Sequence, residues 1–387
     1  MSQRFFLSLA ALGLLCGVGR ANISIPSDGS DGAFNPTSNV EIDLSQAVTG
    51  QWDAPNTANT GKGIYDSSKW AVVFKYSSVN IPAGVTVTFK NHPANPPVVW
   101  LVQGDVTITG IVNLRGAGDI SVGNLTEPGP GGFRGGSRGS TYILPSPGFG
   151  PGGGKYNVFS GASGSSSYLN PKISYLIGGS GGSGSNGGGS GGVTSDGGAG
   201  GGAILIACAT KLTLEGLVDT GGGGGGYYGG GSSGAVRLVC DTLAGRTGRL
   251  LGATTSTEAN HAIDYFGQPS TTFSAPATPP QIWPPSNWPA VTVTRIGNVE
   301  VPSDPLASFN YPGQDVTLDT TPSVLVTIAA TNVPVNWKVV VRLVPRTGPD
   351  STFTATFLSG DAVSSVWQAQ MDVPFGLAAV QARASAS

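Results

Sequence analysis

Three stretches of this chain repeat one pattern: VVWLVQGDVTITGIVNLRGAG (98–118), AILIACATKLTLEGLVDTGGG (203–223) and AVRLVCDTLAGRTGRLLGATT (235–255). Each stretch contains an apolar strand, a polar step, a second strand and a corner of small residues. Repeated strand–turn–strand units of this length indicate a solenoid, whose coils stack about 4.8 Å apart. We therefore predict that the three stretches are neighbouring parallel strands. The alternative is a β-sandwich whose strands merely look alike.

Two cysteines occupy equivalent positions in the second and third of these stretches. Arg237 and Asp241 are expected to point to solvent, so alternation along the strand turns Cys240 inward, and the same argument turns Cys208 inward. A ladder of two buried thiols on successive coils is the simpler interpretation. A strained disulfide is the alternative, because about 4.8 Å lies within the Cα–Cα range of a disulfide. No histidine has ligand-like spacing to these cysteines, so we predict no metal site there.

A long glycine-rich insertion, roughly residues 116–202, separates the first two stretches and is too long for an ordinary loop. Within it Gly178, Gly181, Gly184 and Gly187 fall three residues apart. A three-residue period of glycine suits polyproline II strands, which can pack backbone to backbone because no Cβ intervenes. Two alternatives stay open: a packed polyproline II-like layer on the solenoid flank, or a flexible segment rich in glycine and serine.

The last part of the chain changes character. Residues 268–291 are rich in proline and indicate a semi-rigid linker, in which Trp283 and Trp288 are expected to pack on a neighbouring domain. About seven short alternating strands follow in residues 292–387, which is typical of an immunoglobulin-like sandwich. The predicted fold is all-β: a right-handed parallel β-solenoid domain (22–267) with a glycine-rich (polyproline II-like) insertion, the linker, and a C-terminal immunoglobulin-like β-sandwich.

The first 21 residues predict a secretory signal peptide. A short positive start precedes an apolar stretch at residues 5–18, and small residues favour cleavage after Ala21. The stretch is short for a spanning helix, and Cys16 lacks the small preceding residue expected of a lipoprotein. We expect the mature chain to be secreted, either extracellular or at the cell surface, with no transmembrane segment.

The composition excludes one class of partner. Only 11% of the residues are charged and the formal net charge is −2, with no block of like charge. Nucleic-acid binding needs clustered lysine and arginine to displace counterions, so no nucleic-acid partner is predicted. Glycine contributes 62 of 387 residues, over twice the average share of about 7%. Helical patterns are nearly absent, and both features indicate β and irregular structure.

No group of residues has catalytic spacing. Solenoid enzymes that act on polysaccharides need paired carboxylates, or a carboxylate cluster with Ca²⁺, on one face. Asp105, Asp219 and Asp241 are instead single acids near turns on separate coils. The cluster from Asp28 to Asp31 resembles half of a calcium loop, but it lacks the further acids and is interpreted as a turn.

The two histidines, His92 and His261, lie in turn-like segments and are expected at the surface. We therefore predict no catalytic, cofactor-binding or metal-binding residues, no cofactor and no enzymatic activity.

Several segments resemble a type of exported bacterial glycine-rich surface protein. They are SDGAFNPTSNVEIDLSQA (30–47), VNIPAGVTVTF (79–89), the GGAILI (201–206) and SGAVRL (233–238) junctions, RIGNVEVPSDP (295–305) and AATNVPVNWKVVVRLVP (329–345). The resemblance covers most of the mature chain. It implies location and architecture, a β-solenoid with an appended sandwich, and it carries over no catalytic residues.

Together these patterns predict a structural component of an extracellular layer, filament or matrix, with self-association as one expected interaction. The alternatives are an adhesin or glycan-binding protein, with a cell-surface or extracellular polysaccharide as its partner, and a carbohydrate-active enzyme. Acids clustered on one face would favour the enzyme, an exposed aromatic row would favour the adhesin, and uncapped coil ends would favour self-assembly.

Overall fold

A computed structural model describes residues 23–118, 126–140, 142–156, 162–166, 175–186, 194–225, 229–245, 250–263, 271–274, 276–277, 279–306, 313–319 and 323–386. The predicted signal peptide, residues 1–21, lies outside these ranges.

Over these residues the structure is all-β. Its helical segments are two short 3-10 turns, Leu44–Gln46 and Thr57–Asn59. None of the described helical segments has the length and hydropathy needed to cross a membrane. The strands before the sandwich are β1 (Ala33–Phe34), β2 (Val40–Asp43), β3 (Val48–Thr49), β4 (Ile64–Asp66), β5 (Ala71–Tyr76), β6 (Ser78–Ile81), β7 (Thr86–Lys90), β8 (Val98–Val102), β9 (Val106–Ile108), β10 (Ile111–Asn113), β11 (Ala203–Cys208), β12 (Lys211–Leu214), β13 (Leu217–Asp219), β14 (Gly234–Gly245), β15 (Leu250–Leu251), β16 (Ala253–Ile263) and β17 (Thr271–Ser274).

Successive passes of the chain pair in parallel, one above the next. We call each pass a coil and the set of passes the parallel stack. In a twelve-stranded sheet β5, β8, β11 and β14 are neighbours, and one register column joins Phe74, Trp100, Ile206 and Leu238. The following strands β6, β9 and β12 and the second half of β14 pair in the same order. A five-stranded sheet contains β2, β7, β10, β13 and β15, again all parallel. The prediction that the three repeated stretches are parallel neighbours is confirmed.

The main strands of the larger sheet are covered on both faces, and every residue of β5, β8 and β11 is buried. The inward side chains belong to one large apolar core. The outward side chains form a second cluster, which is covered by residues distant in sequence: Ile23, Ile25, Trp52, Ile282 and Trp283. Strands buried on both faces have continuous apolar sequences, which explains runs such as VVWLV and AILIAC.

The sequence correctly predicts which side chains of β14 point inward, but it wrongly predicts that the outward Arg237 is solvated. Cys208 and Cys240 point inward, with 0% and 1% of their surfaces exposed. Arg237 points outward but is buried rather than solvated. Its guanidinium Nε donates to the carboxylate of Glu258 at 3.0 Å, and Nη2 donates to the carbonyl of Gln281 at 2.7 Å. The reason is that the proline-rich segment covers this face.

Covering residues lie at both ends of the parallel stack. Leu44, in the first 3-10 turn, is fully buried in the inner core next to the edge strand β2. Towards the other end Thr255 and Thr257, on β16, continue the inward columns of Val236 and Leu238 with buried polar side chains, and β17 pairs with β16 beyond them. The outermost strands are short: β1, β3 and β15 have two residues each, and β2 and β17 have four. Short edge strands discourage pairing with another chain.

The glycine-rich insertion is packed over most of the residues that the structure describes, whereas its turn at 142–144 is exposed. We call the following stretches the glycine layer: 126–140, 146–154, 178–186, 194–202, 220–225 and 229–234. Every third amide of one stretch donates to the same antiparallel neighbour: Gly179 to Gly201, Gly182 to Gly198 and Ser185 to Ser195, at 2.8 to 2.9 Å. The amides one residue earlier donate elsewhere: Gly178 to Gly131, Gly181 to Phe149 and Gly184 to Ser146. Of the two alternatives, packing is confirmed for these residues.

Glycine is required where the stretches meet, because their backbones touch. A Cβ added at Gly182 would lie 1.9 Å from the carbonyl oxygen of Gly229. A Cβ added at Gly201 would lie 1.8 Å from the carbonyl oxygen of Thr220. These distances are shorter than any van der Waals contact, so the layer has no room for a larger residue there.

The C-terminal part forms two antiparallel sheets around a separate core, and we call this part the sandwich for its two facing sheets alone. Its strands are β18 (Ala290–Ile296), β19 (Val299–Glu300), β20 (Ser323–Thr331), β21 (Lys338–Pro345), β22 (Ser351–Thr354), β23 (Thr356–Gly360), β24 (Ser364–Asp372) and β25 (Ala378–Ser385). The sheet orders are β19-β18-β20-β24-β23 and β22-β21-β25. The core between them includes Ile328, Val341, Trp367 and Met371.

The proline-rich segment is attached to its neighbours at several points. Strand β17 lies within residues 268–291 and pairs in parallel with β16. Trp283 packs edge-on against Trp52, with ring centroids 5.4 Å apart, and Trp288 packs against Tyr175 at 5.1 Å. Both tryptophans therefore pack on neighbouring parts of the chain, as expected. The domain bounds themselves stay predictions.

Candidate functional site

Two of the three acids singled out in the repeats stabilise turns between coils. The Asp105 carboxylate accepts hydrogen bonds from the Thr210 hydroxyl and from the Lys211 amide, the latter at 3.1 Å. The Asp241 carboxylate accepts from Asn260 Nδ2 at 2.9 Å. Each contact joins one coil to the next, which is a structural role.

Asp219 is the most buried of these acids, and it has a basic partner. Its carboxylate forms an ion pair with Arg115 at 3.2 Å and accepts from the Gly221 amide at 2.9 Å. Arg115 also donates to the carbonyl of Gly222, so it links the corner of one coil to the glycine layer. A general acid or nucleophile in a glycosidase works with a second carboxylate. The contacts of Asp219 are to a guanidinium and a backbone amide.

The cluster that resembles half of a calcium loop is a turn that fastens the N-terminal cover. Asp31 accepts from Asn56 Nδ2 at 2.6 Å, from the Gly61 amide at 2.9 Å and from the Lys75 amide at 2.7 Å. Asp28 forms an ion pair with the buried ammonium of Lys75 at 3.2 Å. The oxygen atoms that a cation would need are thus occupied by N–H donors. Among the described residues no group of three or more His, Cys, Asp or Glu could hold a metal ion.

A polar cluster joins the parallel stack to the sandwich. The Tyr65 hydroxyl, on β4, donates to Asp304 Oδ1 at 2.5 Å, and Asp304 lies in the segment after β19. The His92 ring stacks on Tyr65 with centroids 4.1 Å apart, and its Nδ1 accepts from the Ala94 amide at 3.1 Å. His92 is therefore half-buried, which corrects its expected place at the surface. His261, on β16, is exposed as expected.

Burial governs the titration of this cluster. It lowers the pKa of His92, and the nearby Asp304 carboxylate opposes that shift in part. Burial also raises the pKa of Tyr65, and its hydrogen bond to the Asp304 carboxylate raises it further. Tyr65 consequently keeps its proton throughout the physiological pH range and donates a hydrogen bond to Asp304.

The lowered pKa of His92 predicts a pH-dependent stability. The unfolded chain takes up a proton near the ordinary histidine pKa of 6.5, whereas the folded chain does so at a lower pH. As far as His92 is concerned, the free energy of unfolding therefore has its full value above about pH 6.5 and decreases as the pH drops towards the folded pKa. We expect the free energy of unfolding, from denaturant titrations at about pH 7.5 and about pH 5, to fall less in His92→Asn than in the wild type.

The matched control for this prediction is His261→Asn, because His261 is exposed. The carboxylates with lowered pKa, such as Asp66, do not confuse the comparison, since they lose their contribution only as the pH falls below about 3.8. An equal loss of stability in the wild type and in His92→Asn would contradict the assignment.

The cysteine pair lacks the features of a reactive site. Both thiols are free and buried. The hydrogen bond to Cys240, followed by burial, raises the pKa of Cys208 well above its usual range. The thiolate is the reactive form of cysteine, so a raised pKa suppresses nucleophilic chemistry. The described structure corresponds to the thiol-ladder alternative.

Arg342 is one of the residues through which the sandwich contacts the glycine layer. Arg342, on β21, donates from Nη1 to the carbonyl of Gly150 at 3.0 Å and from Nη2 to that of Gly148 at 3.2 Å. Its Nε donates to the Asp350 carboxylate at 2.7 Å. Phe149 and Val344 form a small apolar cluster at the same contact. The planar guanidinium suits such a contact, because its fixed N–H groups match several acceptors at once.

Sequence reasoning missed the contacts that Arg342 and Asp304 make with the rest of the chain. Arg342 lies in a strand where alternation predicts an outward residue, and no sequence signal names its acceptors, which are backbone carbonyls. Asp304 precedes a proline in a turn-like segment, and Tyr65 lies in a short strand.

No protein-family model, no curated protein and no solved structure matches this chain.

Proposed function

We propose that this chain is a secreted structural protein of an extracellular layer or matrix, built as one stiff unit. In this proposal the parallel strands form a right-handed β-solenoid, the glycine layer is a set of polyproline II segments on its flank, and the two-sheet part is an immunoglobulin-like sandwich. The parallel registers of the two larger sheets support the solenoid, and right-handed crossovers are the general rule for parallel strands.

The observation that carries the proposal is the glycine layer. Hydrogen-bond partners that recur every third residue match the three residues per turn of polyproline II. The layer bonds its polar backbone groups to one another and leaves few side chains for chemistry. Ordering so many glycines costs more backbone entropy than ordering other residues, so a chain that keeps them gains a rigid layer in return.

The contacts of the acids also support a structural function rather than catalysis. Asp105, Asp219 and Asp241 each bind the backbone or side chains of a neighbouring coil. An enzyme that hydrolyses glycosidic bonds ordinarily needs two carboxylates about 5–10 Å apart. We expect no turnover of polygalacturonate, alginate, xylan or chitin by the purified chain.

Self-association is part of the proposal, and a sandwich edge supports it better than the coil ends do. Three terminal strands of the parallel stack have two residues and the other two have four, whereas β23 is a five-residue edge strand with every residue exposed and none charged. Uncharged exposed edges favour pairing with a second strand, and one lysine on such an edge prevents it.

Negative-stain imaging over a concentration series tests the function. We expect laterally associated particles or sheets, and we expect Leu358→Lys, on β23, to disperse them while Leu325→Lys, on an inner strand with a similarly exposed side chain, leaves them intact. Isolated particles at every concentration would contradict the proposal and favour an adhesin. Polysaccharide turnover that disappears in Asp219→Ala would favour an enzyme.

A further inference from the structure

A tight turn at the edge of the glycine layer presents three apolar side chains to solvent. The Ser140 amide donates to the Ile143 carbonyl at 2.7 Å, and the Ile143 amide donates back to the Ser140 carbonyl at 3.3 Å. The turn thus closes on itself. Tyr142 is 96% exposed, Ile143 50% and Leu144 44%. Such exposure of consecutive large apolar residues has no explanation in the fold.

A second exposed aromatic side chain lies at the end of the sandwich that this turn contacts. Phe375, in the turn between β24 and β25, is fully exposed. The Arg346 amide donates to the Leu377 carbonyl at 2.8 Å, and the Gly348 amide donates to the Leu144 carbonyl at 3.2 Å. The turn after β21 therefore lies between the two apolar turns. We call Tyr142, Ile143, Leu144 and Phe375 the apolar tip.

A cationic side chain, Arg346, lies between the two turns of the apolar tip. Arg346 is exposed, and its carbonyl accepts from the Ser137 hydroxyl at 2.6 Å, which fixes its backbone to the glycine layer. The nearby Asp350 carboxylate is bound to Arg342. Exposed aromatic and aliphatic residues beside an arginine match the two regions of a bilayer surface. The rings enter the boundary of the acyl chains, and the guanidinium meets anionic headgroups.

The size of the apolar tip distinguishes between two occupants. Two aromatic side chains of about 200 Å² each and two half-exposed aliphatic ones offer roughly 500–600 Å². A stable protein–protein interface needs about 800 Å² from each partner, so the tip alone is too small to hold a second copy. A lipid surface has no such minimum, because each inserted side chain contributes separately.

We propose that the apolar tip binds the surface of an anionic lipid bilayer, with Tyr142 and Phe375 inserted and Arg346 at the headgroups. This goes beyond the proposed structural function, since it supplies a means of attaching the unit to a cell surface. It uses different residues from the β23 edge, so the two proposals can fail independently.

Sedimentation with vesicles tests the proposal on the whole chain. We expect binding to phosphatidylcholine vesicles that contain phosphatidylglycerol, and about fivefold weaker binding in Arg346→Gln, the loss expected for one basic residue. The double variant Tyr142→Ser, Phe375→Ser should bind at least about tenfold more weakly, because two aromatic side chains leave the lipid. The control is Val363→Ser, since Val363 is 65% exposed at the opposite end of β24.

Three results would overturn the proposal. The first is no sedimentation of the wild type with the vesicles that contain phosphatidylglycerol. The second is an equal loss of binding in Val363→Ser, which would mean that the exposed residues act without a defined tip. The third is a wild-type oligomer in size-exclusion chromatography that the double variant converts to a monomer, which would make a second copy the occupant.

Discussion

Gly182→Ala is expected to destabilise the glycine layer by at least about 3 kcal/mol, beyond the usual cost of overpacking a core. The added Cβ would lie 1.9 Å from the carbonyl oxygen of Gly229 and 2.3 Å from its carbonyl carbon. These are backbone atoms, so no side chain can rotate away. The stretches must separate, and the hydrogen bond from Gly182 to Gly198 at 2.9 Å lengthens or breaks.

Gly224→Ala is the matched control. Gly224 lies in the same layer but is exposed, and nothing approaches within 4 Å of the place where its Cβ would be. An alanine there reduces the freedom of the unfolded chain and should be neutral or stabilising by up to about 1 kcal/mol.

Denaturant titration measures both effects, and hydrogen exchange of the amides in 178–186 shows where they act. The stability of Gly182→Ala should fall and its exchange should accelerate. Equal stabilities for the two variants would mean that the stretches are not in backbone contact, and the packed layer would be wrong.

The parallel stack could be predicted from the sequence because its repeats carry two kinds of information. Alternation within a strand assigns Cys208 and Cys240 to the interior, and similarity between stretches fixes which strands are neighbours. The outer face could not be predicted in this way. Arg237 looks like a solvent-facing residue, and its burial depends on Gln281 and the segment around it, which are distant in sequence.

The glycine layer was predictable in its period but not in its contacts. Every third position of 178–186 is suited to close approach, yet glycines have no side chains by which one stretch could select another. The partners of Gly182, one in 195–201 and one in 229–234, follow from where the surrounding strands place the backbone. The choice between a packed and a flexible segment therefore required the structure.

The polar contacts between the parts of the chain were the least predictable feature. Tyr65, His92 and Asp304 come from three separate segments, and none of them stands in a recognisable motif. Their meeting depends on how the sandwich lies against the stack. A charge-poor sequence offers few such groups, which makes each one more informative once its partner is known.

Arg342→Met is expected to destabilise the sandwich, and with it the contact to the glycine layer, by about 3–5 kcal/mol, as is typical when one partner of a buried ion pair is removed. Arg342 and Asp350 are 15% and 14% exposed. The variant would leave the Asp350 carboxylate without its cation and the Gly148 carbonyl without its donor, whereas the Gly150 carbonyl still accepts from the Gly153 amide at 3.1 Å. The sandwich core does not include this arginine, so the sandwich itself should stay folded.

Calorimetry is the measurement for this prediction. We expect the sandwich of Arg342→Met to unfold in a separate transition at lower temperature, whereas Arg295→Met should unfold like the wild type. Arg295 is the matched control because its ion pair with Glu300 joins two exposed side chains, and such pairs contribute about 0–1 kcal/mol.

A double variant separates the buried charge from the lost contact. In Arg342→Met with Asp350→Leu the unpaired carboxylate is gone, and stability should recover in part. Recovery must stay incomplete, because the Gly148 carbonyl still lacks a donor, and a buried unsatisfied polar group costs about 1–3 kcal/mol. Full recovery would show that Arg342 merely neutralises Asp350, and that the sandwich is held to the layer by the apolar contact of Phe149 with Val344 and the hydrogen bond from Ser137 to Arg346.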